Sequence, residues 1–149
     1  MIVTSGSFQN LPSPSCEIPA IATPGTATSA SVMVVDDDQD ISDILSEILT
    51  RAGHSVVTAR NGVEALEKLK SVRPALILLD LNMPVMDGFE FRRLQRLDPA
   101  VAQVPTVIMS ALYQMRERIA HLGVDDALEK PIALERLLQV VEHFCGSAP

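Results

Sequence analysis

Ala75-Leu76-Ile77-Leu78-Leu79-Asp80-Leu81-Asn82-Met83-Pro84-Val85-Met86-Asp87-Gly88 is the stretch that decides the fold. Pro74 stops whatever helix precedes it, and an apolar run then ends in a carboxylate at Asp80. An unbroken apolar run of this length reads as a strand buried on both faces, the pattern of a central strand in a parallel sheet. Parallel neighbours need crossover connections, usually helices. The stretch therefore predicts helices on either side, and the flanking sequence supplies them.

Upstream, Val32-Met33-Val34-Val35 is a second buried strand. Ile41, Ile44, Leu45, Ile48 and Leu49 follow at helical spacing, with Asp38 or Asp40 as cap and Gly53 as stop. Ser55–Ala59 is another strand; Asn61-Gly62 turns the chain, and Val63, Leu66 and Leu69 mark the next helix. Downstream, Phe89, Phe91, Leu94 and Leu97 predict a third helix, and Thr106–Met109 a fourth strand after Pro105. A helix from about Leu112 to Leu122 ends at Gly123, and a short strand, Asp126–Glu129, runs into Lys130-Pro131. The last helix spans Ala133–Cys145 on a stripe of Leu134, Leu137, Leu138, Val141 and Phe144. Five strands alternating with five helices make an α/β protein, a (βα)5 unit around a parallel sheet.

Residues 1–30 differ from the rest. Pro12, Pro14, Pro19 and Pro24 interrupt any regular element, and the segment reads as a disordered extension. The domain occupies residues 31–146, and no segment of output-domain size is expected after it. The 149 residues carry 12 Lys+Arg against 19 Asp+Glu, a net charge of −7, which argues against binding the nucleic-acid backbone. Cys16 and Cys145 alone build neither a disulfide framework nor a four-cysteine zinc site. The first basic residue is Arg51, so a secretory or transit leader is not expected; no apolar stretch reaches spanning length. Together these predict a cytoplasmic protein.

Chemistry gathers at the strand ends. The first strand ends in Asp36-Asp37-Asp38, the third in Asp80, the fourth at Ser110 and the fifth at Lys130. In a doubly wound sheet the carboxyl ends of the strands open onto one crevice, where such folds bind ligands. Clustered carboxylates repel, and a hard divalent cation such as Mg2+ relieves the repulsion. A hydroxyl and an ammonium beside that ion make a phosphoryl pocket, with a carboxylate as nucleophile. The residues point to Mg2+-assisted phosphorylation of an aspartate.

These stretches resemble the receiver domain of two-component response regulators. The likeness rests on Val34-Val35-Asp36-Asp37-Asp38, on Leu78 to Gly88, on Met109-Ser110-Ala111 and on Lys130-Pro131. Asp37 to Asp80, Asp80 to Ser110 and Ser110 to Lys130 are 43, 30 and 20 residues apart, as the family requires. The resemblance implies a flavodoxin-like sheet of order 2-1-3-4-5 with helices on both faces. It makes Asp80 the phosphoryl acceptor. Asp37, Asp80 and the Asn82 backbone carbonyl would hold Mg2+, with Asp36 acting through a water. Ser110 and Lys130 would contact the phosphoryl group, Lys130-Pro131 would be cis, and Gly88 would shape the loop with a positive φ. Family members usually carry Tyr or Phe three residues before the lysine; Ala127 stands there. That departure puts the aromatic switch that accompanies the hydroxyl in doubt. Tyr113 reads as ordinary packing, with the output face as its alternative.

The implied function is that of a stand-alone phosphoacceptor in a phosphorelay, not an enzyme. The donor is a histidine kinase or histidine phosphotransfer protein, and the output a protein target rather than nucleic acid or membrane, with or without phosphorylation-linked dimerisation. The switching face would comprise the fourth helix, fifth strand and fifth helix. The alternative is a phosphorylation-independent binding module on the same fold. A phosphohydrolase is disfavoured, because such enzymes carry an acid/base aspartate two residues past the nucleophile, where this chain has Asn82.

Overall fold

The computed structural model describes residues 31–111 and 119–146. Its elements are β1 (Ser31–Val35), α1 (Gln39–Arg51), β2 (Ser55–Ala59), α2 (Gly62–Leu69), β3 (Leu76–Asp80), α3 (Gly88–Leu97), β4 (Thr106–Ser110), β5 (Asp126–Glu129) and α4 (Leu134–Cys145). The strands form one parallel sheet of order β2-β1-β3-β4-β5. The fold is thus the flavodoxin-like arrangement implied by the sequence. Residues 112–118, which include Tyr113 and most of the helix expected over Leu112–Leu122, lie outside the described residues, as do residues 1–30.

The alternation of side chains along each strand builds two cores. Val32, Val34, Leu76, Leu78, Val107 and Met109 face α1 and α4, meeting Leu45, Leu49, Leu137 and Val141. Met33, Val35, Ile77, Leu79 and Ile108 face α2 and α3, meeting Ala65, Leu69 and Phe91. Every residue of β3 is buried, as its apolar run requires.

Three helix faces depart from the sequence expectation. In α2, Asn61 caps the helix through Glu64 N–H, and Gly62, Ala65 and Leu69 are buried while Val63 is exposed. The physical reason is contact with the loop after β3: a Cβ on Gly62 would stand 2.6 Å from Met86 Cγ, so a larger residue there would have to push the Met86 side chain aside. In α3 the buried face includes Arg92 and Gln95, whereas Leu97 is exposed. The sequence marks this helix by Phe89, Phe91, Leu94 and Leu97 and gives no place to those two, but backbone carbonyls at the foot of the sheet take their hydrogen bonds. In α4, Leu134 is exposed and the core contacts come from Leu137, Val140 and Val141. Asp38 does cap α1, accepting from Asp40 and Ile41 N–H, and Gly53 follows its end with φ +98°.

Candidate functional site

Four strands deliver the polar groups to one end of the sheet. Asp36 and Asp37 follow β1, Asp80 and Ser110 end β3 and β4, and Lys130 follows β5. Asp36, Asp80 and Ser110 are buried, and Asp37 is exposed. The Lys130 ammonium donates to Asp36 Oδ2 at 3.0 Å and lies 3.3 Å from Asp80 Oδ1. The other Asp36 oxygen accepts the Asp38 N–H at 2.9 Å. The Ser110 carbonyl accepts the Lys130 backbone N–H at 2.9 Å, which fixes the two strand ends side by side. The Lys130-Pro131 peptide is cis. Asn82 is exposed in the loop just past Asp80, and its backbone N–H bonds the Asp80 carboxylate.

Burial and the neighbouring Asp36 push the Asp80 pKa up from 3.8 to about 6, against the opposing pull of Lys130. Burial works against the Lys130 ammonium, but the Asp36 hydrogen bond and the Asp80 charge outweigh it and hold its pKa above the ordinary value. One lysine thus balances only part of the charge of three carboxylates. Asp36, Asp37 and Asp80 each offer an oxygen, all within 4.8 Å of one another, the one such cluster among the described residues. An all-oxygen donor set with excess negative charge and one exposed member suits a hard, partly hydrated divalent cation.

Gly88 differs from expectation. Its φ is not positive; positive-φ glycines among the described residues are Gly53, Gly123 and Gly146. Glycine is needed at 88 for proximity instead, since a Cβ there would stand 2.5 Å from the Asp80 carbonyl oxygen and 2.9 Å from Leu81 Cα. The positive φ in this loop belongs to Val85, at +68°, where the Met86 N–H closes a tight turn onto the Pro84 carbonyl at 2.7 Å. Ala127 is exposed on β5 and lines an open cleft of about 700 Å3 with Ser110, Glu129 and Arg136.

Sequence reasoning missed an apolar groove of about 220 Å3 beside Lys130 and Pro131, lined by Ile41, Ile44, Ile48, Ile132 and Leu134. Ile44 and Leu134 are 56% and 53% exposed, although both sit in helical stripes that read as core. The α1 stripe itself gave no signal, because Ile41, Ile44, Leu45, Ile48 and Leu49 recur at the spacing of an ordinary core-facing face.

The chain matches the family model described as the response regulator receiver domain over residues 32–142. It is 41% identical over 112 residues to the response regulator MprA of Mycobacterium tuberculosis H37Rv, covering 74% of this chain and 48% of that protein. The chain spans about half the length of the curated relatives it matches. Among solved structures, it is similar to the chemotaxis response regulator CheY4 of Vibrio cholerae, with 34% identity, a TM-score of 0.73, and coverage of 78% of this chain and 99% of that one. It is also similar to the receiver domain of the sensor histidine kinase PA1611 from Pseudomonas aeruginosa PAO1, whose structure has a magnesium ion coordinated in the active-site cleft. There the identity is 26%, the TM-score 0.73, and coverage 80% of this chain and 99% of that one. Among the described residues no helix is long and apolar enough to cross a membrane. Family model, relatives and fold agree: the chain belongs to the response regulator receiver-domain family of two-component signalling proteins.

Proposed function

We propose that Asp80 is the phosphoryl acceptor of a two-component phosphorelay and that Mg2+ is its cofactor. The observation that carries this reading is the Lys130 ammonium set between Asp36 and Asp80, with Asp37 close by. An oxygen of the Asp80 carboxylate attacks the phosphorus of a phosphohistidine on a partner kinase or phosphotransfer protein. The P–N bond breaks, the imidazole nitrogen takes up a proton, and Asp80 holds an acyl phosphate. Lys130 leaves its place between the carboxylates to meet the phosphoryl oxygens, and the Ser110 hydroxyl bonds another of them. Asp37, Asp80 and the Asn82 backbone carbonyl would hold Mg2+, with Asp36 acting through a water; the ion supplies positive charge to the phosphoryl oxygens. Water later cleaves the acyl phosphate, so the protein resets without turning over an external substrate.

The donor must present its histidine at the mouth of this site. The groove beside Lys130 adjoins that mouth and exposes Ile44 and Leu134, so the donor's apolar surface is the occupant that fits. The output is a protein contact made through β5 and α4, in keeping with the acidic chain, and the setting is the cytoplasm. Mass measurement of the intact protein with Mg2+ and a small-molecule phosphodonor tests the core of this reading. A gain of one phosphoryl group is expected, absent in Asp80→Ala and with a chelator. No gain in folded protein would favour the second reading, a phosphorylation-independent module, which the alanine at 127 supports.

A further inference from the structure

Arg92 is 5% exposed in the middle of α3, and no carboxylate among the described residues pairs with it within 4.0 Å. A guanidinium loses much hydration on burial and needs replacement acceptors. It finds them in two places. Its Nε donates to the Leu122 carbonyl at 3.1 Å, and its Nη2 to the Gly123 carbonyl. Its Nη1 donates to Gln95 Oε1 at 2.8 Å and to Thr106 Oγ1 at 3.1 Å. Leu122 and Gly123 close a helical turn, with Leu122 N–H bonded to the Ile119 carbonyl and Gly123 reversing the chain at φ +63°. Carbonyls at such an end lack partners within the helix, and a cation there is favourable.

The node reaches the beginnings of both functional strands. Thr106 opens β4; its N–H donates to Asp125 Oδ2 and its carbonyl accepts from Asp125 N–H, each at 2.9 Å. Asp126 then opens β5. Gln95, fully buried, ties the same node to the Val101 and Val104 carbonyls at 3.1 and 3.3 Å. The far ends of β4 and β5 carry Ser110 and Lys130, roughly 13 Å up the strands. A buried network of this kind is favourable only when every member is satisfied, so it permits one arrangement.

From this geometry we infer that Arg92 is an anchor: it holds the turn Leu122–Asp125 in one place against β4 whether or not the site is phosphorylated. It is thereby a positioning residue for Ser110 and Lys130, a role that rests on the phosphoacceptor reading. Any switching motion then has a fixed end at Leu122–Gly123.

Hydrogen exchange on the full chain tests this, comparing peptides covering 119–129 with those from β1 and β3. In Arg92→Met, exchange over 119–129 is expected to rise at least tenfold relative to the core strands. Arg92→Lys, which cannot reach all four acceptors, should give an intermediate rise. Thr106→Val removes one of the four acceptors together with the hydroxyl's own donation to Gln95 Oε1 or the Val104 carbonyl, and serves if Arg92→Met does not fold; a threefold local rise is expected. Equal protection in parent and folded variants, normalised to β1 and β3, overturns the anchor. A second arm adds Mg2+ and the small-molecule phosphodonor to the parent chain. Unchanged exchange over 121–125 alongside a mass gain supports a fixed end, and loosening there overturns it. Should the mass gain itself be missing, the phosphoacceptor reading fails while the variants still decide whether Arg92 anchors the turn.

Discussion

The backbone of Gly88 is pressed against that of Asp80: a Cβ on the glycine would stand 2.5 Å from the Asp80 carbonyl oxygen. The obstacle is backbone, which cannot step aside as a flexible side chain can. Gly88→Ala is expected to lower stability by about 1–3 kcal/mol, since overpacking outweighs the gain in helix propensity. Urea denaturation measures the loss. Phosphorylation should slow as well, because the displaced group is the end of the strand that carries Asp80, the proposed acceptor.

Asp80 gives a pH signature. Its pKa is raised to about 6, so the folded chain binds this proton more tightly than the unfolded chain does. The contribution of the group to stability therefore falls as pH rises from 3.8 to about 6, and is level above that. In metal-free protein near pH ~7, Asp80→Asn is expected to be more stable than the parent by on the order of 2–3 kcal/mol. The difference should vanish below about pH 4. Thermal melts of both proteins across that range test it, and a gap that ignores pH contradicts the argument.

Lys130→Met removes the counter-charge between Asp36 and Asp80. Two buried carboxylates are left facing each other, and a loss of about 3 kcal/mol near neutral pH is expected. Because its pKa is raised above 10.5, the lysine's own contribution is intact at neutral pH and is lost only under strongly alkaline conditions. Millimolar Mg2+ should restore more melting temperature to the variant than it adds to the parent, because the ion replaces missing positive charge.

The groove yields a kinetic prediction. Ile44→Asp, at an exposed position, should change stability little. It should slow phosphoryl transfer from a histidine phosphotransfer partner by about tenfold, the cost of one lost apolar anchor in an interface. Labelling by the small-molecule donor should be unaffected. Equal slowing with both donors would place the defect in the site instead.

Val85 holds φ +68° with a β-branched side chain that is 83% exposed. Such a residue stores about 1 kcal/mol or more in its backbone. Val85→Gly should raise stability by about 0.5–1 kcal/mol, the relief exceeding the added chain entropy. Calorimetric melting temperatures would show the rise.

Much of this was legible in the residues. Apolar runs closed by carboxylates located β1 and β3, Pro105 opened the run that became β4, and the stretch Leu78 to Gly88 brought the family into view before any coordinates. What escaped was whatever depends on tertiary partners. Nothing local to Arg92 or Gln95 says that orphan carbonyls wait for them, so the helical stripe was read through its leucines and phenylalanines. Gly88 was assigned a dihedral role because spacing along the chain carries no information about which backbone lies against it. Ile44 and Leu134 looked like core because periodicity reports that a face is apolar, not that something covers it. The ion pair between Asp36 and Lys130 joins residues 94 positions apart and has no short-range trace.

That separation has a kinetic side. The carboxylates, the hydroxyl and the ammonium come from four strands, and the outermost, β5, is an edge strand of only four residues. A chain that has formed β1 and β3 alone exposes a bare carboxylate pair without its cation. The assembled cluster exists only after the last and most distant closure has occurred. The three carboxylates that a divalent ion would use sit at the ends of β1 and β3 alone. Ion binding therefore marks the pairing of those two strands, and the docking of β5 then brings Lys130 in as a competing cation.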